Sequence, residues 1–149
     1  MSARSVFLVV AGVATLALCT TFTTAISAYQ AKPKKTVWDG VYTEEQAKRG
    51  APLYAEKCAN CHGDQLTGND APALVGAEFS SNWNDLDLND LSERIRLTMP
   101  ADSAGSLSRA QTADLIAVML KHAEMPSGQT EIPTAADQLK DIKYTGTKP

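Results

Sequence analysis

Two cysteines stand two residues apart and a histidine follows directly, in the run Cys58-Ala59-Asn60-Cys61-His62. This spacing sets the sulfurs about one helical turn apart, so that each thiol can add to one of the two vinyl groups of a single porphyrin. His62 can then reach the iron from the side of the ring that the peptide covers. Covalent attachment and proximal ligation are thus contained in five consecutive residues, the attachment pattern of haem c. Other chemistries of paired cysteines fit less well. A Cys2His2 zinc site needs two closely spaced histidines, whereas the chain's second histidine is His122. A thiol–disulfide exchange site belongs at a strand-to-helix junction of a βαβ unit, and no such pattern surrounds Cys58. A structural disulfide is the remaining reading.

An iron held by one imidazole needs a ligand on its other face. Methionine sulfur there raises the reduction potential and fills the sixth position, which favours electron transfer over oxygen chemistry. Met99 is the candidate: it sits between a short helical pattern and a loop containing Pro, Ser and Gly, and Pro100 stiffens the turn. Met125 repeats the Met-Pro dipeptide and is the competitor, but it follows the last helix, where packing is the expected role. Met119 reads as core, among Ile116 and Leu120, and His122 as a helix-surface residue.

The elements that must position these groups are helical. Thr43 and Gln46 have the form of a capping box, with Glu44 and Glu45 favouring the positive end of the dipole. A first helix therefore starts near Thr43 and runs towards Cys58, with Pro52 predicting a kink or a late start. Residues 63–83 are rich in Gly, Asn, Asp, Pro and Ser and predict a long loop, which needs a buried cofactor to wrap around. Asn89 is placed to cap a short helix that carries Leu91 and Ile95 and stops before Pro100. Ser108 and Gln111 open the last strong helix, which runs to about Ala123 with Ala113, Ile116, Ala117, Met119 and Leu120 facing inward. From Met125 onward an extended strap is expected, and no alternating run calls for a sheet.

The 149 residues suit one domain. At the N-terminus Arg4 precedes the apolar residues 6–18, a Thr-rich stretch and the small residues 25–28, which read as a secretory signal cut near Ala28. The alternative is an uncleaved anchor, since the uncharged stretch 5–30 is long enough to span a bilayer. Leu18 stands where a lipid-attachment site wants a small residue, so Cys19 belongs to the removed segment. Residues 29–42 then form an exposed arm, in which Lys32, Lys34 and Lys35 are placed to steer an acidic partner. Residues 43–149 form the domain. With 17 acidic against 14 basic residues, the chain has no basic footprint for nucleic acid.

The run from Tyr42-Thr43 through CANCHGDQLTG, Ala71-Pro72-Ala73-Leu74, Asn82-Trp83-Asn84 and Thr98-Met99-Pro100-Ala101-Asp102 to the final helix and Pro133 resembles class I cytochromes c. More narrowly, VWDGVYTEEQAKRG and TMPADSAGSLSRAQTADLIAVML are similar to the cytochrome c subunits and domains that accompany pyrroloquinoline-quinone-dependent (quinoprotein) dehydrogenases. The resemblance implies an all-α fold in which the N- and C-terminal helices cross, while loops and short helices enclose one covalently bound haem c. Gly50 and Tyr54 fall where the family places a small residue and an aromatic at the crossing; Pro52 departs from the pattern. By the same resemblance, Cys58 and Cys61 form the thioethers, His62 and Met99 hold the iron, and the Pro72 carbonyl accepts from His62. Trp83 then donates to a haem propionate or packs as plain core. Arg94 and Arg96 are candidate propionate partners or a solvated helix face. The implied protein is a periplasmic single-electron carrier and no enzyme. It is reduced by a quinoprotein dehydrogenase and oxidised by a terminal oxidase or another cytochrome, and meets the membrane only if the leader is kept. Two other readings are a haem enzyme or sensor for peroxide or gas, which needs a vacant distal position, and a fixed subunit of a dehydrogenase complex.

Overall fold

The computed structural model describes residues 35–149. The leader over residues 1–28, Cys19, and the part of the arm that holds Lys32 and Lys34 lie outside the described residues. Eight elements follow in order: β1 Lys35–Thr36, α1 Glu44–Lys57, α2 Ala59–His62, α3 Gly76–Trp83, α4 Leu88–Thr98, α5 Arg109–His122, α6 Ala136–Leu139 and β2 Ile142–Lys143.

The core is the crossing of α1 and α5. Helix α1 starts where a cap makes it start: the Thr43 hydroxyl accepts from the Gln46 N–H, and Glu44 and Glu45 occupy the first turn. The second half of the expected capping box is absent. The Gln46 side chain, 1% exposed, pairs instead with the backbone of Ile132, donating to its carbonyl at 3.2 Å and accepting from its N–H at 2.8 Å. Helix α1 is continuous from Glu44 through Pro52, so it does not wait for Pro52 to become regular.

Ser108 and Gln111 form the full reciprocal box at the start of α5. From Thr112 to Leu120 every residue of α5 but Asp114 is buried, so this helix is core on nearly all sides. Gly50 permits the crossing. A methyl group there would run into the backbone carbonyl of Asp114 and come within 2.8 Å of Val118 Cγ2. At the rim Arg49 reaches both Asp114 at 3.0 Å and Glu131 at 2.8 Å, which ties α1 to α5 and to the tail.

Residues 63–83 hold a helix where a loop was expected. Helix α3 begins after Val75 and buries Phe79, whose ring meets Trp83 at 5.9 Å and Tyr144 edge-on at 5.7 Å. These aromatics supply packing that outweighs weak local propensity. Helix α4 starts two residues earlier than expected, capped by the Asp87 carboxylate accepting from the Asp90 N–H rather than by Asn89. It ends at Met99, as Pro100 requires.

The tail is more than a strap. After α6 it pairs in parallel with β1, Lys35 beside Ile142 and Thr36 beside Lys143, a two-residue ladder too short to show as alternation. Further ties run from Tyr42 Oη to the Met125 carbonyl at 2.8 Å and from Trp38 Nε1 to the Thr145 carbonyl at 3.0 Å. Among the described residues no helix is long and apolar enough to cross a membrane.

Candidate haem site

Cys58 terminates α1, its N–H bonding to the Tyr54 carbonyl at 2.9 Å, and its own carbonyl opens α2 by accepting from Cys61 at 3.1 Å and His62 at 2.9 Å. The Cys-x-x-Cys-His run is therefore a single helical turn set on the end of the first long helix. Both thiols are free; Cys58 is half-buried and Cys61 exposed. Burial, with Cys61 beside it, pushes the Cys58 thiol up to about 11. A thiol-exchange centre instead lowers the pKa of its attacking cysteine, so this environment does not suit a reactive dithiol. Among the described residues no group of three or more His, Cys, Asp or Glu is arranged to hold a metal ion, which also leaves the zinc reading without ligands.

His62 Nδ1 lies 2.7 Å from the Pro72 carbonyl. A carbonyl accepts only, so the Nδ1 atom carries the proton and the Nε2 lone pair is left for a metal. Pro72 is delivered by the chain after α2, which folds back on the motif: Gly68 N–H bonds to the His62 carbonyl and Ala71 N–H to the Cys61 carbonyl, both at 2.9 Å. Tyr54 Oη donates to the Gly63 carbonyl at 2.7 Å, a tie the sequence reading missed. Burial pushes this phenol up to about 12.

Met99 caps the C-terminus of α4, its N–H bonding to the Ile95 carbonyl at 2.9 Å, and is half-buried before a cis Pro100. Its competitors are placed differently. Met125 is 4% exposed beneath the Tyr42 tie, Met119 is 4% exposed within α5, and His122 is on the surface. Trp83 is half-buried at the end of α3, against Phe79. Arg96 is already held by Glu93 at 2.8 Å, and Arg109 reaches the same carboxylate at 2.9 Å. The paired Arg96 keeps the Glu93 carboxyl below its usual range. Arg94 is exposed on α4.

The donor chemistry fits a haem: two thiols, an imidazole with Nε2 available and a thioether would supply the bonds. Leu74, Val75, Trp83 and Ile95, from the loop before α3, α3 itself and α4, lie partly buried against the core.

The crossed helices α1 and α5, with a Cys-x-x-Cys-His turn on the end of the first, define a c-type cytochrome domain. The family model described as cytochrome c oxidase, cbb3-type, subunit III matches residues 45–119, and the chain belongs to that family. Membership carries covalent haem c and electron transfer with it. The chain is 34% identical over 104 residues to a thiosulfate dehydrogenase of Stutzerimonas stutzeri (strain A1501), covering 64% of this chain and 33% of that protein. A solved structure, the sulfane dehydrogenase SoxCD from Paracoccus pantotrophus, aligns with a TM-score of 0.46 and 21% identity over 71% of this chain and 61% of that one. The chain thus spans about a third of the curated relative and under two thirds of the solved one. The curated relative is named for a sulfur compound, and its name does not carry the narrower resemblance to quinoprotein-associated subunits.

Proposed function

We propose that this chain is an exported monohaem cytochrome that carries single electrons from a dehydrogenase in the periplasm to a respiratory acceptor, and that it transforms no substrate itself. The observation that carries this reading is the His62 ring: its Nδ1–H is committed to the Pro72 carbonyl at 2.7 Å, one helical turn from two free thiols. Cys58 and Cys61 would form the two thioethers, and His62 Nε2 and the Met99 sulfur would hold the iron. Pro72 fixes the imidazole's tautomer and raises its basicity, and Trp83, packed on Phe79, is the candidate to donate its indole N–H to a propionate. When bound, the haem supplies a reversible one-electron couple; the protein supplies ligands, low dielectric and an edge for docking.

For the donor, the 34% identity to a thiosulfate dehydrogenase favours a sulfur-compound dehydrogenase; a quinoprotein dehydrogenase rests on sequence resemblance alone. The acceptor is a terminal oxidase or another cytochrome. A reductive titration of the mature protein tests the carrier role: one electron per chain is expected, with no turnover of thiosulfate by the chain alone. Turnover without a partner, or no electron uptake, would overturn it. Stopped-flow reduction by each class of dehydrogenase then decides the donor, fast reduction being expected from the sulfur-compound enzyme. A second reading is favoured by one observation, that the chain matches a third of a larger enzyme: a fixed subunit, which would copurify with its dehydrogenase, whereas a mobile carrier elutes alone.

A further inference from the structure

The last carbonyls of a helix have no partners within the helix and must find them elsewhere. In the haem-motif turn they are met by the chain that follows. The Cys61 carbonyl accepts from Ala71 N–H and the His62 carbonyl from Gly68 N–H, each at 2.9 Å. The Gly63 carbonyl accepts from Leu66 N–H at 3.1 Å and from Tyr54 Oη. The Asn60 carbonyl accepts from Asn69 Nδ2 at 3.2 Å. Asn69 also closes the turn that delivers the proline, its own N–H donating to the Ala71 carbonyl at 3.2 Å. Asn69 therefore joins the haem motif, through its side-chain amide, to the residue preceding Pro72, through its backbone N–H.

This loop has little slack. Gly68 sits at φ +88°, and a Cβ there would lie 3.0 Å from Ala73 N and 3.1 Å from the Ala71 carbonyl oxygen. The Ala71 carbonyl is held by the Asn69 N–H and the Ala71 N–H by the Cys61 carbonyl, so a displacement at Asn69 is passed to Ala71 and the adjoining Pro72. Asn69 is exposed, so by burial alone it would read as an ordinary surface side chain.

We infer that Asn69 is a positioning residue for the proximal histidine: by holding the Asn60 carbonyl it fixes the loop that sets the His62–Pro72 hydrogen bond, and through that bond the reduction potential. The inference rests on the reading of His62 as an iron ligand. A firm bond from Nδ1–H to the carbonyl makes the imidazole a stronger donor and favours the ferric state; a loosened one favours the ferrous state.

The test is the midpoint potential of mature Asn69→Ala, beside Thr67→Ala, an exposed change in the same loop at a side chain with no hydrogen bond among the described residues. In Asn69→Ala the ferric-to-ferrous ratio at a fixed ambient potential is expected to fall about threefold. That is an upward shift of about 28 mV at 59 mV per tenfold for one electron. The His62 Nδ1 proton should exchange faster with solvent, and Thr67→Ala should change neither quantity. A normal spectrum with unchanged potential and exchange would overturn the inference alone, as would an equal shift in Thr67→Ala. A wild-type protein whose spectrum shows no histidine-ligated haem would overturn the ligand reading and this inference with it. Should Asn69→Ala fail to mature, wild-type NMR decides: one Asn69 amide proton exchanging more slowly than its geminal partner supports the tie, and equal exchange refutes it.

Discussion

Gly50→Ala should loosen the helix crossing on which the site is built. Two effects oppose each other. Replacing glycine by alanine inside a helix gains about 1 kcal/mol from propensity. Against this, the new methyl collides with the Asp114 carbonyl and approaches the carbonyl carbon to 2.7 Å and Val118 Cγ2 to 2.8 Å. The first obstacle is backbone inside α5, so relief requires the helices to separate rather than a side chain to rotate. Overpacking of this kind costs roughly 1–3 kcal/mol, and a backbone clash belongs at about the top of that range. The net effect is a destabilisation of about 2 kcal/mol. At about 4 °C per kcal/mol for a domain of this size, the midpoint of thermal unfolding should fall by about 8 °C. Far-UV circular dichroism of the mature holoprotein reads this directly. A variant as stable as the parent, with an unaltered haem spectrum, would show that the helices do not cross at Gly50.

Other consequences are as open to measurement. Gln46→Leu removes both partners of the Ile132 backbone and leaves a buried N–H and C=O unmet, a loss of about 2–3 kcal/mol. Amide exchange at Ile132 should rise with it, and protection equal to that of the parent would count against the pairing. Met99→Ala should abolish the methionine-to-ferric-iron absorption band while Met125→Ala leaves it intact; the reverse pattern would move the ligand to the tail. Burial raises the Tyr54 phenol to about 12 and moves Tyr42 and Tyr144 upward as well. A raised folded-state pKa means that the native state keeps a proton the unfolded chain has lost, so stability is full below about pH 10 and falls as pH rises towards 12. Denaturant midpoints that stay flat across that window would contradict the burial of these phenols.

What could be read from the sequence was local. The five-residue haem motif, the Thr43 and Ser108 caps and the stop before Pro100 each depend on residues within a turn of one another. What escaped depends on partners far along the chain. Gln46 was assigned to its own N-terminus, where the spacing puts a capping partner, but it is taken by Ile132, 86 residues away. Helix α3 reads as loop because Gly76, Ser80, Ser81 and Asn82 have weak propensity; it is held by Phe79, which packs on Trp83 and on Tyr144, a residue of the tail. At α4 both Asp87 and Asn89 carry capping chemistry, and the choice fell to the residue whose carboxylate meets the Asp90 N–H. The same division holds at the site. Cys58, Cys61 and His62 announce themselves by spacing, whereas the Tyr54 and Asn69 ties exist only once the following loop has folded back onto the motif.

In the proposed cytochrome a porphyrin is joined to this polypeptide at Cys58 and Cys61, with its iron held by His62 and Met99. Intact mass and absorption spectroscopy on one sample of the exported, matured protein test this most directly. The expected result is a polypeptide mass increased by that of a single haem, a low-spin spectrum, and the methionine-to-ferric-iron band in the oxidised form. A colourless protein whose mass is that of the polypeptide alone, with its two thiols free or joined to each other, would contradict it.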